Sequence, residues 1–98
     1  MEKEKVSILI VEDDMIIAAN LSIQLTSLGY EVTGILPRGE EAIMHVRENR
    51  PHILLMDINL KGELSGIETA KAIKKNNNIS IIYLTANSDD ATFNKAKE

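Results

Sequence analysis

The sequence predicts an α/β fold in which helices cover both faces of a parallel β-sheet. Four short apolar runs alternate with stretches whose apolar residues recur at helical spacing. Such a rhythm is typical of a doubly wound sheet, because each helix returns the chain to the start of the next parallel strand. The chain has 98 residues, of which 44% are hydrophobic and 27% charged, so residues 1–98 are expected to form one domain around one core.

Four strands are predicted from aliphatic and β-branched residues, at residues 6–11, 31–36, 52–56 and 79–84. The first, third and fourth are apolar along most of their length, which is typical of strands buried on both faces of a parallel sheet. The second has Val32 and Ile35 as its β-formers, and Pro37 marks the turn after it. The fourth would be an edge strand unless it pairs with a strand outside this sequence.

Four helices are predicted, at residues 15–28, 40–49, 66–75 and 91–98. Gly29 is placed to end the first helix and Pro51 lies just beyond the second. Ser88 or Asp89 would cap the fourth. The side chains expected to face the core are Ile17, Leu21, Leu25 and Leu28 in the first helix, Ile43 and Val46 in the second, and Ile67, Ala70 and Ile73 in the third.

The composition excludes several classes of function. Fifteen acidic and 11 basic residues give a net charge of -4, and the basic residues form no long run, so neither nucleic acid nor a membrane is an expected partner. The absence of cysteine excludes a disulfide scaffold and a thiol nucleophile. The charged amino terminus is unlike a signal peptide, and no apolar stretch approaches the roughly 20 residues of a membrane span, so a cytoplasmic location is expected.

Polar side chains follow the predicted strands at the ends where parallel strands meet. Glu12 and Asp13 follow the first strand, Asp57 follows the third, and the fourth delivers Thr85. These side chains should converge, because functional groups of doubly wound sheets collect at the carboxyl ends of the strands. Carboxylates about 4 Å apart repel by roughly 1 kcal/mol per pair in water, so stability does not explain the cluster. A hard cation such as Mg²⁺, which takes oxygen ligands and bridges to phosphoryl oxygens, would relieve the repulsion.

Taken singly, an acid at a strand end is also explained by helix capping or solvation, and capping is the expected role of Asp14. The combination of Asp13, Asp57 and Thr85 at equivalent strand ends favours a functional site. His45 and His52 have no second histidine or acid at ligand spacing, so we expect them to be ordinary surface or boundary residues.

These motifs resemble the receiver domain of two-component response regulators. Residues 8–14 (ILIVEDD) resemble the first strand and acid pair of that family, and residues 54–57 (LLMD) resemble its phosphoacceptor strand. Residues 83–86 (YLTA) resemble its hydroxyl-bearing fourth strand, and residues 66–68 (GIE) its loop-to-helix signature. The resemblance covers essentially the whole chain and implies a flavodoxin-like doubly wound sheet with strand order 2-1-3-4.

The resemblance also implies a role for each site residue. Asp57 would accept a phosphoryl group from a sensor histidine kinase or a phosphotransfer protein. Asp13 and Asp57 would bind Mg²⁺ directly, together with the backbone carbonyl of Asn59, and Glu12 would assist through a water molecule. Thr85 would hydrogen-bond the phosphoryl group and, with the fourth helix, switch a downstream output. The protein would then be a signalling module and not an enzyme.

Two features depart from the family pattern. The lysine that pairs with the phosphoryl group lies on a fifth strand in the family, and this chain ends at Glu98, so we expect the fifth strand and fifth helix to be missing. Lys95 and Lys97 are expected to be solvated rather than substitutes. Lys61 stands where the family often has proline, in a loop that is one residue longer. An uncovered sheet edge or face would favour a homodimer.

Two alternative functions come from other classes. A phosphatase or phosphotransferase resembling the haloacid dehalogenase family would also use an aspartyl-phosphate, but that family places Asp-x-Asp after the first strand, whereas here residues 57–59 (DIN) follow the third. The second alternative is a receiver-like interaction or dimerisation module that works without phosphorylation. Retention of Glu12, Asp13, Asp57 and Thr85 argues against it, and the missing lysine strand keeps it open.

Overall fold

A computed structural model of the chain describes residues 5–58, 60, 64–76 and 78–84. In these ranges the elements are β1 (Ser7–Val11), α1 (Met15–Ser27), β2 (Glu31–Leu36), α2 (Gly39–Asn49), β3 (Ile53–Asp57), α3 (Gly66–Asn76) and β4 (Ser80–Leu84). All strand pairs are parallel and the order is β2-β1-β3-β4. The predicted α/β fold and strand order 2-1-3-4 are therefore confirmed. The helix predicted at residues 91–98 lies outside the described residues.

The core occupies both faces of the sheet. All five residues of β1 are buried, because β2 and β3 flank it and its side chains point alternately to the two faces. On one face the buried cluster comprises Leu9, Val11, Leu54 and Met56 of the sheet, Ala42 and Val46 of α2, Ile73 of α3, and Leu60 and Ile79. On the other face it comprises Ile8, Ile10 and Leu55 with Ala18 of α1. Each fully buried aliphatic side chain contributes about 1.5–3 kcal/mol, so these clusters dominate the stability of the fold.

Three expectations about burial are wrong, each for a local reason. Leu28 is 74% exposed because it is the C-cap of α1 and no longer lies on the helical face. Ile67 is 43% exposed, since steps of three residues drift around a helix and place it about 120° from Ile73. Ile82 is 50% exposed, because β4 forms an edge of the described sheet rather than a fully buried strand.

Gly29 ends α1, as predicted. Its φ of 98° lies in the left-handed region, where glycine has no steric penalty. The Gly29 amide donates to the Thr26 carbonyl at 3.1 Å and the Tyr30 amide donates to the Leu25 carbonyl at 3.0 Å. This double closure is a Schellman motif, and it directs the chain into β2. None of the helices in the described ranges combines the length and the apolar composition that a membrane span needs.

Both histidines join elements, a role that their sequence context does not reveal. The Ser7 amide donates to His52 Nδ1 at 2.9 Å, which fastens the start of β3 to the start of β1. The pairing of β1 with β2 shifts between Ile8 and Leu9, so Thr33 is skipped in the register. The Thr33 hydroxyl lies 3.0 Å from His45 Nε2, and this hydrogen bond ties the irregular part of β2 to α2.

Candidate functional site

The structure brings three of the predicted site residues together at the carboxyl ends of two neighbouring strands. Asp57 is the last residue of β3, while Glu12 and Asp13 directly follow β1. Val11 and Met56 are register partners, so the acids emerge side by side. One carboxylate oxygen from each of the three residues lies within 4.8 Å of the other two. Asn59 and Thr85, the other predicted site residues, lie outside the described part of the chain.

Burial raises the free-energy cost of keeping these carboxylates charged. Glu12 is 1% exposed and Asp57 is 2% exposed, while Asp13 is half-buried. Both carboxylate oxygens of Glu12 are buried without a hydrogen-bond partner among the described residues. A buried polar atom without a partner loses the free energy of hydration and gains nothing in return. A cation or an ordered water molecule beside these atoms would offset that cost.

Burial and the two neighbouring aspartates raise the pKa of Glu12 from 4.5 to about 8. Burial is the largest cause, followed by the adjacent Asp57 carboxyl and then by the charge of Asp13, while the Asp14 backbone acts in the opposite direction. An all-oxygen set of three carboxylates, two of them buried, fits a hard divalent cation, because the cation would neutralise the repulsion that raises this pKa. Among the described residues of the site there is no thiol or imidazole ligand of the kind that zinc prefers.

We expect the stability of the cation-free protein to fall as pH rises. The folded state holds a proton on Glu12 that the unfolded chain releases near pH 4.5, so the free energy of unfolding decreases between about pH 4.5 and pH 8. The slope is at most about 1.4 kcal/mol per pH unit. Urea unfolding with a chelator from pH 5.5 to pH 8 would measure it. Glu12→Gln should remove most of the slope, and an unchanged slope would show that another group is responsible.

Asp14, the third consecutive acid, serves α1 rather than the cluster. Its Oδ1 accepts hydrogen bonds from the amides of Ile16 at 3.0 Å and Ile17 at 3.2 Å, which confirms the capping role expected from the sequence. The cap begins α1 directly after Asp13. The three adjacent acids therefore divide between a buried cluster and a helix cap.

Substitutions at Asp13 and Asp14 should separate these roles. Mg²⁺ should raise the thermal midpoint of the unaltered protein, and Asp13→Asn should remove most of that increase because a carboxylate ligand is lost. Asp14→Ala should lower stability by about 1 kcal/mol but keep the increase. Calorimetry suits the measurement, since the chain has no Trp and two Tyr. Equal increases for Asp13→Asn and the unaltered protein would place the cation elsewhere.

The first residue of α3 packs against the backbone of Asp57 and Ile58. The Gly66 amide donates to the Ile58 carbonyl at 3.1 Å. A Cβ at Gly66 would collide with the Asp57 carbonyl oxygen and would lie 2.9 Å from the Ile58 Cα, so only glycine fits. Ser65 Oγ accepts from the Glu68 amide at 3.1 Å, and Glu68 Oε1 accepts from the Ser65 amide at 3.0 Å. This reciprocal pair is a capping box, which the Ser-x-x-Glu spacing could have predicted.

Comparison with known proteins gives consistent matches. The model of the response regulator receiver domain family matches residues 8–98. The transcriptional regulatory protein AfsQ1 of Streptomyces coelicolor is 36% identical over 84 residues, which are 86% of this chain and 36% of that protein. The DNA-binding response regulator MtrA of Mycolicibacterium smegmatis is 34% identical over 89 residues, or 91% of this chain and 38% of that protein. The chain thus spans little more than a third of these relatives.

Solved structures agree with these matches. The signal receiver domain of a modulated diguanylate cyclase from Desulfovibrio desulfuricans G20 superposes with a TM-score of 0.80 at 47% identity, covering 93% of this chain and 73% of that one. The response regulator PhyR from Brucella abortus gives a TM-score of 0.79 at 32% identity, covering 88% of this chain and 35% of that one.

Proposed function

Because the chain belongs to the response regulator receiver domain family, we propose that it is a phosphoacceptor module in which Asp57 receives the phosphoryl group. Receiver domains of response regulators receive phosphoryl groups from histidine kinases, so a sensor histidine kinase or a phosphotransfer protein is the proposed donor. The observation that carries the proposal is the convergence of Glu12 and Asp13 on Asp57 at the end of β3. Phosphorylation of Asp57 would switch a downstream output.

The proposed reaction requires the protein to position the reacting groups and does not require it to transfer a proton. A carboxylate oxygen of Asp57 attacks phosphorus in line, a new O–P bond forms, and the P–N bond to the donor imidazole breaks, with the electron pair leaving on nitrogen. The low exposure of Asp57 limits the access of water that would compete with it or hydrolyse the acyl phosphate. Its place as the last residue of β3 fixes the backbone from which it attacks.

Mg²⁺ is the cofactor that we propose for this site. Asp13 and Asp57 would bind it directly, and Glu12, whose oxygens have no partner among the described residues, would assist through a water molecule. When bound, Mg²⁺ supplies charge neutralisation for the incoming phosphoryl oxygens. The proposed roles of the Asn59 carbonyl as a ligand and of Thr85 as a phosphoryl hydrogen-bond donor rest on the family resemblance alone.

The alternatives are less well supported. Members of this family are generally not enzymes. Residues 57–59 (DIN) come at the end of the third strand, whereas a haloacid dehalogenase-like phosphatase would require Asp-x-Asp after the first. A module that acts without phosphorylation would have no use for three converging carboxylates, whose repulsion costs stability. The matched relatives differ in output, being named as DNA-binding regulators and as a diguanylate cyclase, so the proposal leaves the output general.

Self-association and location complete the proposal. β4 is an edge of the described sheet and Ile82 is 50% exposed, which supports a homodimer formed through this edge or face. A cytoplasmic location follows from the family resemblance. Neither nucleic acid nor membrane is a proposed partner of this domain, since its net charge is -4.

Intact mass after incubation with a small acyl-phosphate donor tests the function directly. We expect a gain of one phosphoryl group that requires Mg²⁺ and disappears slowly as the acyl phosphate hydrolyses. The same samples, given a chromogenic phosphate ester, should show no sustained turnover. Sustained turnover would favour the phosphatase, whereas a folded chain that gains no mass from an acyl phosphate or from a histidine kinase would favour the interaction module.

A further inference from the structure

The backbone of Asp57 is in direct contact with the first residue of α3. Gly66 lies so close to the Asp57 carbonyl that no side chain fits between them, and the Gly66 amide is hydrogen-bonded to the Ile58 carbonyl at 3.1 Å. A displacement of the α3 N-terminus would therefore be transmitted to Asp57 without an intervening flexible group. The position of the acceptor depends on whatever holds this helix end.

A side chain of α2 holds that end. Glu40, in the first turn of α2, accepts a hydrogen bond through Oε1 from the Leu64 amide at 3.0 Å. Leu64 is two residues before Gly66 and 24 residues after Glu40, so the hydrogen bond is a tertiary contact. The Glu40 side chain is half-buried. Among the described residues, Leu64 makes no other hydrogen bond to α2. The charged acceptor makes this bond stronger than one between neutral groups.

The helix ends are also in van der Waals contact beside this hydrogen bond. Thr69 of α3 is fully buried, and its hydroxyl donates to the Ser65 carbonyl at 2.8 Å. A Cβ on Gly39 would collide with that hydroxyl, so the first residue of α2 is packed against α3 as closely as a glycine allows. The N-termini of α2 and α3 thus form one junction, in which Glu40 supplies the polar link to the segment that follows Asp57.

We propose that Glu40 is a positioning residue for the phosphoacceptor site, acting through the Leu64 amide and Gly66 on the backbone of Asp57. This inference rests on the proposed function and adds α2 to the elements that govern it. Glu40 does not belong to the carboxylate cluster, so its effect on cation binding and phosphorylation is indirect. Its neighbour Glu41 is exposed and makes no hydrogen bond or ion pair within the described ranges, although it lies in the same helical turn.

The test compares Glu40→Ala, Glu40→Gln and Glu41→Ala in the full chain, measuring Mg²⁺ affinity by calorimetry and the phosphorylation rate by intact mass. Glu40→Ala should weaken Mg²⁺ binding about tenfold, the lower end of the effect of hydrogen bonds that orient metal ligands, and slow phosphorylation in parallel. Glu40→Gln keeps an acceptor oxygen and should restore both values. Glu41→Ala loses the same charge near the α2 N-terminus and should match the unaltered protein.

The two readouts distinguish the failure of this inference from the failure of the proposed function. Equal Mg²⁺ affinities for Glu40→Ala and Glu41→Ala would overturn the positioning role, whether or not the chain accepts a phosphoryl group. Loss of Mg²⁺ affinity in Glu40→Ala with rescue in Glu40→Gln would support it even for a chain that no donor phosphorylates. If Glu40→Ala fails to fold, Glu40→Asp, which is one methylene shorter, should show the same weakening, and normal affinity in it would overturn the role.

Discussion

Asp57→Asn is expected to abolish phosphorylation completely. The carboxamide has nearly the same shape as the carboxylate but no anionic oxygen to attack phosphorus, so no acyl phosphate forms. The substitution also removes a buried charge that lies beside Asp13 and disfavours ionisation of Glu12, and it should therefore raise the stability of the cation-free protein. Intact mass after incubation with an acyl-phosphate donor and Mg²⁺, together with urea unfolding in chelator, would measure both effects.

Asp14→Asn is the matched control, since it makes the same chemical change at the N-cap of α1, outside the carboxylate cluster. Asparagine is also a good N-cap, so this control should fold and accept a phosphoryl group normally. A full phosphoryl gain in Asp57→Asn would assign the acceptor to another residue. A stability lower than that of the unaltered protein would mean that Asp57 contributes more through its contacts than it costs through repulsion.

Gly66→Ala is expected to damage both the fold and the site. The added methyl group would meet the Asp57 carbonyl group and the Ile58 Cα, which are backbone atoms that cannot move aside as a side chain can. We expect the free energy of unfolding to fall by about 3 kcal/mol or more, at the upper end of the cost of overpacking. For a domain of this size the thermal midpoint would fall by more than about 10 °C. The displaced Asp57 should also bind Mg²⁺ more weakly.

Gly29→Ala is the control that separates the loss of stability from the loss of Mg²⁺ binding. A Cβ there would meet no atom within 4 Å, so its cost comes from the φ of 98° and amounts to about 1–2 kcal/mol. Gly29 ends α1 far along the chain from the cluster, and the control should lose stability while keeping its Mg²⁺ affinity and its phosphorylation. If Gly66→Ala were as stable as the unaltered protein and bound Mg²⁺ equally well, the close packing of α3 on Asp57 would not hold in solution.

The fold was predictable because its signals are local and repeated. Apolar runs such as residues 53–56 are short, end in a polar residue and are followed by helical periodicity, so the α/β alternation follows from spacing alone. Burial at the margins was not predictable in the same way. Whether Leu28 or Ile82 is covered depends on where a cap ends the helix and on which strand lies at the sheet edge, and neither is encoded in a single residue's hydrophobicity.

The acids of the site were also accessible from sequence, since the carboxyl ends of adjacent parallel strands must lie together. The contacts that hold these acids in position were not accessible from the sequence. The hydrogen bond between Glu40 and the Leu64 amide joins residues 24 positions apart, and nothing in either local sequence indicates the other. The sequence marks Gly66 only as the start of a helix, whereas the need for glycine there comes from the nearness of the Asp57 carbonyl. Contacts of this kind depend on the packing of two helices and appear only in three dimensions.

The skipped residue Thr33 has a consequence for how copies of the sheet could join. A strand that docks on an edge needs an evenly spaced row of amides and carbonyls, and the shift in β2 interrupts that row. The pairing of β4 with β3 runs without a shift from Ser80 to Leu84, so β4 retains an even row. Addition at one edge only would stop after two chains, because the far edge of each copy offers no template. The irregular strand would thereby act as a terminator that permits a closed pair and prevents growth into a fibre.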